Sequence, residues 1–231
     1  MHRINQGVTF VSKLPTQNGY TPVRFTPIND EIVFYWDNTI QPFIKIDKNR
    51  TVDKNWVWPR LFRWQNFIAR ALGQSLVSIA VGIEDNKCDT FLPIGLILLV
   101  KKYYALHDTN KQASFVWFMS TAPKTFLSNM LGNQNVPEKI GSAMLDTAIS
   151  LSFNSSLMGR IGLHAAPPGG QWLFDWYLNE GLKNLDKNKK LPSGRGIIQF
   201  FKQPLSGNDG RYFYTDQQAA LAKSRHLDIF R

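Results

Sequence analysis

Cysteine is almost absent from this chain: one residue of 231, Cys88. A single thiol excludes an internal disulfide framework, and without a CxxC partner it makes neither a redox pair nor a metal site. Histidine is nearly as scarce. His2, His107, His164 and His226 are scattered with no ligand spacing, so no metal is expected. The sequence has no GxxxxGKS/T phosphate loop and no GxSxG nucleophile elbow. Long apolar runs are missing as well. The longest, FLPIGLILLV at residues 91–100, is too short to cross a bilayer, carries a proline and reads as a buried strand. The opening residues, MHRINQGVTF, lack the apolar block of a signal peptide. A cytoplasmic protein with no membrane partner is the expectation.

What is present points to a globular fold with a basic surface. Apolar residues make up 43% of the chain, enough for a sizeable core and too many for a disordered chain. Lysine and arginine number 27 against 17 acidic residues, a net charge of +10. The excess is uneven: residues 183–231 hold ten cations and four acids. Such a balance favours an anionic partner, whether a phosphorylated cofactor, nucleic acid or an acidic surface. It also fits a merely solvated face, since Lys183, Lys187, Lys189 and Lys190 follow an expected helix end, where cations suit the dipole.

Along the chain, residues 1–55 form an N-terminal extension, with short strands expected at 31–35 (EIVFY) and 43–46 (FIKI). Residues 56–231 are expected to form the main domain. An amphipathic helix is predicted at 58–72, with Trp58, Leu61, Phe62, Phe67, Ile68, Ala71 and Leu72 as its apolar stripe. Strands at 76–83, 91–104 and 114–119 follow, joined by short polar links that suit antiparallel hairpins. A polar-apolar connection at 124–134 leads to a second helix at 137–153, with Pro137 and Glu138 in its first turn and Ile140, Met144, Ala148 and Leu151 as its stripe. Two late strands, 197–202 and 211–215, and a helix at 216–222 complete the chain. The order implies a mixed sheet flanked by helices, with the strands at 114–119 and 160–165 running parallel.

The most informative stretch is GRIGLHAAPPGGQWLFDWYLNEGL, residues 159–182. It reads as a short strand, a Pro/Gly loop and a helix carrying Tyr177. A tyrosine beside a strand end can protonate a leaving group.

With LVSIAVGI, FLPIGLILL, SFVWFM, PEKIGSAMLDTAI, GRIGLHA and WYLNEGL in that order, residues 74–182 resemble the GNAT superfamily of N-acyltransferases. The resemblance implies an α/β fold of the α+β kind: a mixed, mostly antiparallel sheet flanked by helices. It implies acetyl-CoA or another acyl-CoA as donor, transferred to a primary amine by direct attack. The pyrophosphate would meet free amides at the start of the second helix, at Lys139, Ile140, Gly141 and Ser142. Gly141 matches the last position of the family's phosphate turn, whereas Val136 and Lys139 depart from it at the first and fourth. Phe118, Met119 and Ser120, in the strand before, would hold the pantetheine arm through main-chain amides. Tyr177 aligns with the family tyrosine that protonates the departing thiolate. Glu84, at the end of its strand, is the expected general base, with Asp85, Asp89 and His164 as alternatives.

The acceptor is left open: a basic enzyme repels polycations, so an anionic acceptor such as aminoacyl-tRNA or an acidic protein fits better, with small amines as the other choice. The alternative is a non-catalytic nucleic-acid-binding module on a degenerate acyltransferase fold, built on Trp56, Trp58, Arg60, Arg63 and Trp64. The extension at 1–55 would add a first strand, cap the acceptor site or form a homodimer contact.

Overall fold

The three apolar segments after residue 75 pair antiparallel in series, as their short links require. The computed structural model describes residues 10–71, 76–85, 90–191 and 207–231; the expected strand at 197–202, with Cys88, Asp89 and His2, lies outside them. The strands are β1 (Lys13–Thr16), β2 (Gly19–Pro22), β3 (Arg24–Pro27), β4 (Leu76–Asp85), β5 (Thr90–Ala105), β6 (Asp108–Thr121), β7 (Ile161–His164), β8 (Lys183–Asn184) and β9 (Tyr212–Tyr214). The helices are α1 (Asp30–Tyr35), α2 (Gln41–Ile46), α3 (Trp58–Ala71), α4 (Lys124–Leu131), α5 (Ile140–Asn154), α6 (Gly170–Asn179) and α7 (Gln217–His226). β1 and β2 form a hairpin, and the other seven strands make one sheet in the order β3-β4-β5-β6-β7-β9-β8. Among the described residues its only parallel pair is β6 with β7. A parallel step needs a crossover, and α5 supplies it. The mixed, mostly antiparallel sheet flanked by helices is the expected architecture.

The stretches 31–35 and 43–46, expected as strands, are helical instead. Asn29 caps α1 by accepting the Ile32 amide at 2.9 Å, and Asp30 and Glu31 suit the positive end of the helix. Val33, Trp36, Ile40 and Ile44 recur at helical spacing and are all buried. That repeat runs through a π-helical turn at Trp36–Ile40 and past Pro42 in the first turn of α2. β3 pairs with β4, so residues before 56 supply an edge strand of the main sheet. The main hydrophobic cluster draws on residues from Val11 to Phe230, and a smaller one gathers Leu106, Phe115 and Leu185.

Two further expectations change in detail. In α3, Trp58 and Gln65 are buried, but Phe67 is 65% exposed. It stacks on Trp64 with ring centroids 6.1 Å apart, on the outer side of the helix. The helix expected from Pro137 begins at Ile140. Residues 136–139 are a turn that Lys139 closes in the left-handed region, φ 58 and ψ 23, while the Glu138 amide donates to the Pro15 carbonyl at 2.8 Å. α5 then buries every side rather than one stripe, because the sheet covers one face and α7 with residues 228–231 covers another. Asp146 on α5 is fully buried. Nη2 of Arg231 donates to both its carboxylate oxygens at 2.8 Å. Burial nonetheless raises the Asp146 carboxyl, with Arg231 pulling the other way.

Candidate active site

The parallel pairing of β6 and β7 is short. It runs from Ser114 opposite Ile161 to Val116 opposite Leu163 and goes no further. Beyond it β6 stays paired to β5 as far as Thr121, opposite Gly95. A β-bulge lies where the strands part: Leu99 faces Val116 and Leu98 faces Phe118, so Trp117 is the extra residue. A bulge bends its strand and adds twist, and β7 turns away at His164 into the Pro/Gly loop. Residues 117–121 therefore have a sheet partner on one side only among the described residues. Backbone groups alternate between the two edges of a strand, so half of theirs face the gap.

A cavity of about 1100 Å³ fills this wedge. Phe118, Met119, Ser120, Lys139, Ile140, Gly141, Ser142 and Tyr177 all line it. Eight residues chosen from three separate segments of sequence thus share one space. The ninth, Glu84, does not line that cavity. It sits on β4 and pairs with Arg24, Nη1 to Oε1 at 2.5 Å, with both side chains about half exposed. His164, by contrast, does line the cavity.

At the start of α5 the first intrahelical bond runs from the Ala143 amide to the Lys139 carbonyl. The amides of Ile140, Gly141 and Ser142 precede it and have no backbone acceptor among the described residues, which leaves donors for an anion. Gly141 is needed for packing: a Cβ there would lie 2.9 Å from Cζ2 of Trp176. The Ser142 hydroxyl donates to Glu180 Oε1 at 2.7 Å, and Glu180 pairs with the buried Lys223. The Lys139 ammonium lies 5.3 Å over the Phe230 ring.

Tyr177 is 7% exposed, its ring 4.9 Å from Trp176 and 5.3 Å from Phe213. Burial pushes its hydroxyl far above the ordinary tyrosine value, so it holds its proton throughout the physiological range. Tyr212, a second cavity tyrosine, is pushed up to about 12 by burial and by Asp209 and Tyr103.

Sequence reasoning missed the loop between α2 and α3. Arg50 Nε donates to Asp53 Oδ1 at 3.1 Å and Nη2 to Ser120 Oγ at 3.0 Å. Ser120 Oγ donates to Asp53 Oδ2 at 2.5 Å. This partly buried triangle fastens the loop to β6 across the wedge. No spacing signal marks it, because Asp53 and Ser120 are 67 residues apart. Sequence reasoning also left the cluster at 187–190 as a helix-end feature. α6 stops at Asn179, and Lys187, Lys189 and Lys190 line the cavity. With Arg50, Lys124 and Lys139 they give, among the described residues of the lining, six cations against two carboxylates, Asp47 and Asp53. The lining favours a polyanionic ligand.

The aromatic and basic cluster at 56–64 is divided. Trp58 is fully buried, Trp56 packs on Phe118 with centroids 5.0 Å apart, and Trp64 is 55% exposed. It presents no continuous stacking face. Among the described residues no group of three or more side chains is placed to hold a metal, and no helix is long and apolar enough to cross a membrane.

No protein-family model matches the chain, and no curated protein matches it. Solved structures do. The chain is similar to apo FdhC, described as a nucleotide-linked sugar GNAT, at TM-score 0.48 and 11% identity over 96% of each chain. It is similar to the PaiA N-acetyltransferase of Thermoplasma acidophilum in complex with coenzyme A, at TM-score 0.47 and 12% identity, over 84% of this chain and 97% of that one. A spermidine N-acetyltransferase from Vibrio cholerae, with CoA and spermine, gives TM-score 0.47 and 13% identity over 86% and 98%. At these identities the comparison concerns the path of the backbone, and activity must be argued from the chain's own residues.

Proposed function

We propose that this protein is an acyl-CoA-dependent N-acyltransferase, with acetyl-CoA as donor substrate and a primary amine as acceptor. One observation carries the reading. The one-sided backbone edge at 117–121, the free amides at the start of α5 and the buried hydroxyl of Tyr177 open onto a single cation-rich cavity. A long donor with a phosphorylated end and an amide-bearing arm fits that lining: phosphates to the amides of Ile140, Gly141 and Ser142, and arm to the free edge of Phe118, Met119 and Ser120. The donor supplies a thioester.

The chain's own part is to bind, orient and move protons. Amides on the β6 edge donate to the thioester carbonyl and favour charge developing there. Holding amine and thioester together removes the entropic penalty of their encounter. Tyr177 is a proton donor whose burial keeps its hydroxyl protonated and neutral, and it would protonate the departing sulfur. Lys187, Lys189 and Lys190 favour an acceptor that carries negative charge, as aminoacyl-tRNA does. The direct test is a calorimetric titration with acetyl-CoA, read together with thiol release in the presence of primary amines. Saturable binding and amine-dependent release are expected. A protein that binds no acetyl-CoA would end this reading.

A further inference from the structure

The proposed reaction needs a group to take the proton from the attacking amine, and Glu84 lies outside the cavity. We propose that His164 is that general base, with Asp209 as its positioning residue, an assignment that rests on the acyltransferase reading above. His164 is the last residue of β7, one position past the final pair with β6. Its backbone therefore stands on the opposite arm of the wedge from residues 117–120. Its side chain is only 11% exposed and lines the cavity.

The imidazole is held in one orientation. Nε2 lies 2.9 Å from Asp209 Oδ2. A carboxylate accepts and does not donate, so the hydrogen sits on Nε2 and Nδ1 carries the lone pair. Nδ1 has no hydrogen-bond partner among the described residues, and it is not among their buried, unsatisfied atoms. It belongs to a side chain that lines the cavity. Asp209 is itself fixed, its Oδ1 accepting the Arg211 amide at 2.9 Å. Tyr212 covers the imidazole with ring centroids 4.5 Å apart. A base oriented by a carboxylate and left free at its second nitrogen is the arrangement that proton abstraction requires.

The step balances. The amine nitrogen forms a bond to the thioester carbonyl carbon, and its proton passes to Nδ1 of His164. The carbon–sulfur bond breaks, and the sulfur leaves with the Tyr177 proton. His164 then loses a proton and Tyr177 regains one through solvent, so neither residue is consumed.

The charged and titratable groups facing His164 are Asp209 and Arg211 before β9 and Tyr212 on it, with Lys187, Lys189 and Lys190 lining the same cavity. Burial acts to raise the Asp209 carboxyl, but hydrogen bonds from His164 and the Arg211 amide, with their charges, hold it below the usual range. Asp209 is therefore ionised wherever the enzyme works.

The test compares wild type, His164→Gln and Asp209→Asn in three measurements: acetyl-CoA affinity, the pH profile of amine-dependent thiol release, and the imidazole tautomer by nitrogen-15 NMR. In wild type, the release rate should fall as pH drops. His164→Gln should lose about 100-fold in kcat and the acidic limb, with acetyl-CoA affinity unchanged. Asp209→Asn should disturb the tautomer and lower kcat by less. Wild-type turnover and pH profile in His164→Gln, or a resting hydrogen on Nδ1, would overturn the assignment while leaving the acyltransferase reading intact. Absence of acetyl-CoA binding to wild type would remove both together.

Discussion

Substituting Gly141 by alanine gives a prediction whose sign opposes helix propensity. Alanine in place of glycine within a helix ordinarily gains about 0.5–1 kcal/mol. Here the new Cβ would stand 2.9 Å from Cζ2 and 3.2 Å from Cη2 of Trp176, against an ordinary carbon contact of about 3.5–4.0 Å. The indole is a rigid plate and packs edge-on against Tyr177 at 4.9 Å, so it cannot retreat without moving that ring. Overpacking of this kind costs about 1–3 kcal/mol. The difference is a net loss of roughly 0–2.5 kcal/mol, centred near 1, and at about 2–4 °C per kcal/mol for a chain this size the Tm should drop by a few degrees. Thermal unfolding followed by circular dichroism measures it. Trp176→Leu in the same background removes the plate and should recover most of the loss, as expected of a coupled pair. A Tm that rises in Gly141→Ala alone would refute the close approach of α6 to the first turn of α5, and with it the geometry of the proposed phosphate subsite.

Three other outcomes follow from the same structure. Tyr177→Phe should lower kcat by about 100-fold with acetyl-CoA affinity unchanged; equal rates in stopped-flow thiol release would remove its role as acid. Arg231→Ala should cost about 3–5 kcal/mol in chemical denaturation, because it leaves Asp146 buried without its partner, and Asp146→Asn in that background should restore part of the loss. Asp216 caps α7 by accepting the Ala219 amide at 2.9 Å. Although burial pulls its carboxyl up, that bond and Lys183 hold it below the usual range. A depressed carboxyl contributes stability above its unfolded-state pKa and loses it as pH falls through the folded value. Asp216→Ala should therefore cost about 1 kcal/mol near neutrality, and the difference from wild type should shrink in acid.

Long segments with a strong repeat were readable without coordinates. β4, β5 and β6 are apolar runs split by polar links, and α5 follows a proline with apolar residues at every turn. The N-terminal helices were not readable, since EIVFY and FIKI are each shorter than two helical turns. Their common repeat at Val33, Trp36, Ile40 and Ile44 appears only when a proline-containing stretch is read as one. Site residues divide in the same way. Tyr177 and the residues at 118–120 and 139–142 lie within contiguous motifs. Arg50, Asp53 and Asp209 matter only through tertiary pairing, Asp209 meeting His164 across 45 residues. Phe67 was misassigned because periodicity marks a stripe but not where its partner wall ends.

The central claim is that one cavity between β6 and β7 binds an acyl-CoA, with its phosphates on α5 and its thioester near Tyr177. A crystal structure of the protein with acetyl-CoA tests this most directly. The account predicts pyrophosphate oxygens on the amides of Ile140, Gly141 and Ser142, the pantetheine arm along Phe118 to Ser120, and the sulfur within hydrogen-bond reach of the Tyr177 hydroxyl. Acetyl-CoA bound elsewhere, or with its thioester remote from Tyr177, would contradict it.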